Sequence, residues 1–238
     1  GTTMTHPAYR GRKLFPILAK RTYSEMVRLE MAMVWGFPNA MSHRVFVYDL
    51  GWQDIFEIPY LRLQLMSPGI ASAVVPDCVC EVFDADDRFD QLWNKVQNDY
   101  DIIVRRDCAY INWRYLSNPN QKYRLIAHEE NEEIKGFAVF KRYQDELQVI
   151  DLLIGKKAVD VGENLMAYII TQALRENARS VSLWLNVTHP LHHVLEKIGF
   201  MSEGPVTYWG GLALNPQLDF SLYDFRRWYF MMGDSDRF

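Results

Sequence analysis

The chain has 238 residues, 49% hydrophobic, 24% charged and 14% aromatic, with a formal net charge of -4 and an isoelectric point near 5.9. That length suits one large domain or two small ones, and mild acidity without a dominant basic block argues against nucleic acid or an anionic membrane as partner. No apolar run reaches membrane-spanning length and no signal peptide opens the chain, which points to the cytoplasm. Cys78, Cys80 and Cys108, an odd number without zinc-ligand spacing, read as free thiols in a reducing compartment.

The first informative stretch is Thr5-His-Pro-Ala-Tyr-Arg-Gly-Arg-Lys-Leu-Phe15, an extended run that turns into a helix expected over Leu14–Glu30. Leu14, Phe15, Leu18, Ala19, Met26 and Leu29 recur at 3.6-residue spacing and predict a core-facing side. Arg10, Arg12 and Lys13 crowd the positive end of the helix dipole, where acidic residues normally sit. Unpaired amides at a helix start, a glycine and three cations together describe an anion cradle suited to a phosphate or pyrophosphate. A basic surface turn is the plainer alternative.

Next comes a short apolar strand, Met31–Phe37, then Asn39, a segment Ala40–Leu50 and Gly51-Trp52. Ile55–Leu65 is strand-like but interrupted by Pro59, which predicts an edge or a bulge. Met66–Pro76, rich in small residues and bracketed by prolines, reads as a linker, so a domain boundary is expected after residue 76. Beyond it, Asp90–Val96 has a helical pattern, Ile102–Val104 is a short strand and Cys108–Leu116 a helix. Tyr123–Ala127, Ile134–Arg142 and Leu147–Ile154 are strand candidates. Glu163–Asn177 keeps Met166, Ile169, Ile170 and Ala173 on one helical face, Val181–Leu185 is a strand, and Leu191–Ile198 a helix ending in Gly199-Phe200. Trp184–Phe200 thus repeats the order of Trp35–Trp52: apolar strand, Asn (Asn39, Asn186), helix, glycine.

These residues resemble the GNAT superfamily of N-acetyltransferases, in which a strand ending in Pro-x-Tyr-Arg-Gly leads to a helix and the loop amides hold the pyrophosphate of coenzyme A. Arg10 matches the first position of the family pattern, while Lys13 and Phe15 stand where it has small residues. Asn39, Gly51 and Trp52 match the segment that follows the fifth strand, but Val47 occupies the position where many members carry an acid-donating tyrosine. Tyr48 lies one residue along and is not assigned that role.

The resemblance implies an α/β fold with a mixed sheet, of the GNAT-like acyl-CoA N-acyltransferase type and repeated in tandem. Residues 1–76 would form the C-terminal, coenzyme-binding half of a first, N-terminally incomplete domain, and residues 77–238 a complete second domain with an aromatic tail. It implies acetyl-CoA as co-substrate and transfer of its acetyl group to an amine, with a small molecule, a sugar or a peptide all open as acceptor. Tyr9, Arg10, Gly11, Arg12, Lys13 and Leu14 would cradle the pyrophosphate, with Asn39 and Ser42 near the coenzyme arm. No catalytic residue and no metal site is assigned. The second copy, entered through Gly155–Glu163 with Asp160 and Glu163 at the helix start, reads as degenerate, structural or substrate-binding. A non-catalytic binding protein remains a rival. So does an aminoacyltransferase of the peptidoglycan kind, against whose transfer RNA the acidic charge weighs.

His189, His192 and His193 read as surface imidazoles, because Pro190 spoils a metal-ligating pair. Asp151, inside an apolar strand, reads either as a buried general base or as a carboxylate facing solvent or a hydrogen-bond partner, the latter preferred. Asn112–Tyr115 is expected to pack, and Trp209-Gly-Gly211 to mark close backbone approach. The aromatic tail Phe220–Phe230 should dock on the body or on a second chain, which admits a homodimer.

Overall fold

The computed structural model describes residues 4–66, 76–204, 207–215 and 220–238. In chain order the elements are α1 (Leu14–Arg28), β1 (Met33–Gly36), α2 (Ala40–Arg44), β2 (Gln53–Ile58), β3 (Tyr60–Gln64), β4 (Val79–Val82), α3 (Asp87–Val96), β5 (Ile102–Ile103) and α4 (Cys108–Ile111). They continue as β6 (Arg124–Glu130), β7 (Glu133–Tyr143), β8 (Glu146–Ile154), α5 (Val159–Arg175), β9 (Ser180–Trp184), α6 (Pro190–Ile198), β10 (Met201–Ser202), β11 (Thr207–Ala213) and β12 (Trp228–Tyr229). Single π-helical turns extend α2 over Val45–Asp49 and α4 over Asn112–Leu116.

The described residues form two compact units. The first takes the chain through Ile58, the described part of Pro205–Arg227, and Ser235–Arg237. The second takes those of Pro59–Gly204, with Trp228–Asp234 and Phe238. The sequence places a boundary at 76, but the chain changes sheets earlier, at Pro59. Of the expected linker only Met66 and Pro76 lie within the described residues.

In the first unit β11 lies between β1 and β2, antiparallel to both. Its register shifts at Trp209/Gly210, and the following glycines explain why. A Cβ on Gly210 would sit 2.8 Å from the Gln53 carbonyl oxygen, and one on Gly211 2.8 Å from that of Val34. Both flanking strands therefore approach closer than a side chain allows, as the Gly-Gly pair predicted.

The expected core face of α1 is not buried. Phe15 and Met26 are half-buried, but Leu18 is 66% and Leu29 58% exposed. Helical spacing creates an apolar face without specifying what covers it. What holds α1 is aromatic: Phe15 meets Phe46 edge-on at 5.2 Å, Phe46 packs on Trp52 at 4.4 Å, and Trp52 Nε1 donates to Tyr23 Oη at 2.9 Å.

The second unit is a seven-stranded sheet in the order β10-β3-β9-β8-β7-β6-β4, antiparallel except for β8 and β9. α5 lays Leu165, Met166, Ile169 and Ala173 into the core this sheet builds, and starts one turn earlier than its apolar spacing predicted. α6 is capped by His189, opened by Pro190 and closed by left-handed Gly199. Pro59 alone separates β2 from β3. Because proline has no amide hydrogen to continue a ladder, it suits the point where one strand ends and the next joins another sheet. Each sheet thus gains a strand from a distant part of the chain: β3 in the second unit, β11 in the first.

Candidate functional site

In the first unit the predicted cradle is one continuous turn. Pro7–Tyr9 form a 3-10 turn, Gly11 and Lys13 both take left-handed φ, 77° and 55°, and α1 begins at Leu14. Lys13 is the N-cap residue but supplies no side-chain cap, and the first turn of α1 contains no acidic residue. Arg10 donates from Nε to the Thr5 carbonyl at 3.2 Å, which fixes the bend, and the Arg12 guanidinium lies 5.2 Å over the Tyr9 ring. Tyr9, Arg10, Gly11, Arg12, Lys13 and Leu14 are all solvent-exposed. The result is a basic, uncapped helix start open to a ligand, where the helix dipole favours an anion.

Asn39 and Ser42 come together at the start of α2. Asn39 Oδ1 accepts from the amides of Met41 (3.0 Å) and Ser42 (2.9 Å), and Ser42 Oγ donates to the Asn39 carbonyl at 3.3 Å. Asn39 is therefore a helix cap first. The contact of Phe15 with Phe46 ties the start of α1 to the continuation of α2. Tyr48 is 79% exposed.

Sequence reasoning missed a pairing that His43 of α2 makes with β2. His43 Nε2 lies 2.7 Å from Asp54 Oδ1 on β2, and its ring stacks on Tyr208 of β11 at 3.9 Å and 16°. A carboxylate on one ring nitrogen fixes the tautomer and orients the imidazole, leaving the other nitrogen for proton transfer. Only the fold brings residues 43, 54 and 208 together, so no local motif announced them.

The corresponding places in the second unit are filled. Ahead of α5, Asp99 accepts the Lys156 amide at 2.9 Å, and Asp160 occupies the first helical turn. Carboxylates thus stand where the first unit presents cations, and would repel a phosphate. β8 and β9 pair from Glu146/Ser180 to Val149/Leu183, after which β8 runs on to Ile154. Its later carbonyls are taken by side chains: Tyr229 Oη donates to Leu152, and Tyr100 Oη to Ile154 at 3.1 Å. Asn186 Nδ2 donates to the Trp228 carbonyl at 3.0 Å, and Phe238 meets Trp184 edge-on at 5.1 Å. The tail therefore docks on its own chain.

A buried charge cluster anchors it. Asp151 accepts from Arg106 Nε (2.9 and 3.2 Å) and from Tyr115 Oη (2.8 Å), while Asp234 accepts from Arg106 Nη2 and the Met231 amide, both at 2.8 Å. All three charged side chains are fully buried. Burial alone would lower the Arg106 guanidinium, but the two carboxylates hold it well above its ordinary value. Burial outweighs Arg106 at Asp234 and raises that carboxyl. Asp151 is thus a hydrogen-bonded anchor, as preferred, and Tyr115 packs beneath it.

The histidine expectation is corrected. His189 and His192 are buried and only His193 is exposed, because Pro190 starts α6 and turns its first residues inward. Among the described residues no group of three or more His, Cys, Asp or Glu side chains could hold a metal, and no helix is long and apolar enough to cross a membrane.

A scan against protein-family models finds no match, and neither does a search of curated proteins. Solved structures do match in fold. A GCN5-related N-acetyltransferase from Anabaena variabilis has a TM-score of 0.63 at 15% identity over 88% of this chain and 53% of its own. A tandem GNAT protein from the clavulanic acid biosynthesis pathway gives 0.58 at 15% identity over 90% and 74%. The Saccharomyces cerevisiae N-myristoyltransferase with bound myristoyl-CoA gives 0.59 at 10% identity over 88% and 60%. The chain spans about half the length of several structures it matches. With a mixed sheet, an open helix start in one unit and a filled counterpart in the other, the chain has the α/β fold of the GCN5-related N-acetyltransferases.

Proposed function

We propose that the chain is part of an N-acyltransferase that takes an acyl group from an acyl-coenzyme A, acetyl-CoA in our reading, and passes it to an amine. The observation that carries this is the start of α1: a helix N-terminus without a side-chain cap or acidic first turn, behind Arg10, Gly11, Arg12 and Lys13. The myristoyl-CoA named with one structural neighbour supports a coenzyme A thioester as donor. In this reading Tyr9–Leu14 hold the pyrophosphate, with Asn39 and Ser42 beside the coenzyme arm. The amine nitrogen attacks the thioester carbonyl carbon, and the coenzyme leaves as thiolate. His43, oriented by Asp54, is the proton carrier this unit offers.

In this reading the chain through Ile58, completed by β11, is the coenzyme-binding half of one domain, and the unit that starts at Pro59 is a second domain. The second domain is read as non-catalytic, since Asp99 and Asp160 stand at its helix start and the tail occupies the strand ends. Calorimetric titration with acetyl-CoA tests the reading. The wild-type chain should bind, and Arg10→Ala and Arg12→Ala should each weaken binding about tenfold, the scale of one charge-assisted phosphate contact. Absence of binding at millimolar ligand, or mutants that bind like wild type, would remove the claim.

A further inference from the structure

The three cysteines are unpaired and differ sharply in surroundings. Cys108 donates its thiol hydrogen to the Ala85 carbonyl at 3.0 Å, and burial followed by Asp90, Asp86 and other carboxylates pushes the thiol up. Cys80 is exposed on β4, where partial burial and then Glu129 push it up as well. Both are built to stay protonated.

Cys78 faces a base instead. Its Sγ lies 3.2 Å from Nε2 of His128, a β6 residue only 1% exposed. Pairing of Val79 with His128, and the Glu129 amide donating to the Cys78 carbonyl at 2.7 Å, hold the two backbones in place. On its other side β6 slips register against β7 between His128 and Glu129, an irregularity of the kind that re-aims a side chain. Asn164 of α5 brings its side-chain amide to within 3.1 Å of the same Nε2. Nδ1 is buried and has no hydrogen-bond partner among the described residues. His128 directs the contacts of its Nε2 at the thiol and the amide beside it. The Glu130 carboxylate lies 3.8 Å from Nε2.

We propose that Cys78, paired with His128, is a reactive thiol that low-molecular-weight disulfides convert to a mixed disulfide. The Cys78 proton passes to His128 Nε2, and the thiolate attacks one sulfur of the incoming disulfide. A new sulfur–sulfur bond forms as the old one breaks. The departing thiolate takes the proton from the imidazolium and leaves as a thiol, so Cys78 is oxidised as half of the disulfide is reduced. Cys78 is half-buried and packs against the core of the second unit, with the exposed Asp77 beside it.

The test uses the whole chain and cystamine at neutral pH, with acid quenching and mass spectrometry of each cysteine-containing peptide. Cys78 should form its mixed disulfide at least about tenfold faster than Cys80, although Cys80 is the more exposed thiol, because thiolate character governs the rate. His128→Gln should slow Cys78 by about tenfold and leave the Cys80 rate unchanged. Equal or faster reaction at Cys80 in the wild-type chain would overturn the proposal, and so would a folded His128→Gln variant whose Cys78 rate is unaltered. Should that variant lose its fold, which a rise in the Cys80 and Cys108 rates would report, the wild-type ratio decides.

Discussion

Both ring nitrogens of His189 are occupied in a way that only the neutral imidazole satisfies. Nδ1 accepts the Leu191 amide at 3.2 Å and caps α6, so Nε2 carries the hydrogen and donates to Tyr100 Oη at 3.0 Å. Burial first, then nearby Lys156 and His192, lower its pKa from 6.5 to about 4. The unfolded chain therefore takes up this proton at a higher pH than the folded one. The stabilisation from His189 is complete above 6.5, declines as pH falls, and is exhausted near 4, a change of roughly 3 kcal/mol. His189→Asn keeps a capping oxygen but removes the titration. Urea midpoints at pH 7.5 and 4.5 should move less for the variant than for wild type, and equal movement would exclude this role. Sequence could show the Pro190 that starts α6, but not the Tyr100 that receives the other nitrogen from 89 residues away. Separation in sequence likewise hid the pairing of Arg106 with Asp234, 128 residues away. Each, read singly, is a residue type that normally faces water.

Elements were legible where their signals are local. The start of α1 at Leu14, the strands between residues 123 and 185 and the glycine closing α6 all follow from spacing and turn chemistry. The π-helical turns at Val45–Asp49 and Asn112–Leu116 did not, since one turn is too short to leave a periodic trace. β11 shows the boundary between the two cases. Its Gly-Gly pair announced a close backbone approach, but the partners, β1 and β2, belong to the opposite end of the chain. Gly211→Ala should be costly, because its Cβ would meet the Val34 carbonyl at 2.8 Å and the Met33 side chain, and backbone cannot yield as a side-chain tip can. A loss of about 1–3 kcal/mol is expected, together with faster hydrogen exchange of the amides of β1 and β2. Unchanged exchange there would mean that β11 does not hold this sheet together.

At the scale of the whole molecule, the last residues of the chain do structural work that their composition only suggested. Phe230 is 1% exposed, and Met231 and Met232 are fully buried. Tyr229 and Asp234 supply partners to Leu152 and Arg106 in the interior of the second unit. Removing Trp228–Phe238 would leave the Leu152 carbonyl without the Tyr229 hydroxyl, and Arg106 with only one of its two carboxylates. Each orphaned group of this kind costs on the order of 1–3 kcal/mol, more when charged, and the aromatic burial is lost besides. Such a sum approaches the whole stability of an ordinary domain. The truncated chain should therefore lose cooperative urea unfolding and bind an apolar dye that the intact chain excludes, whereas a tail merely resting on the surface would leave both unaltered. A cooperative, dye-free truncated chain would also weaken the reading of the second unit as filled by its own tail, and would reopen that unit as a place for a ligand.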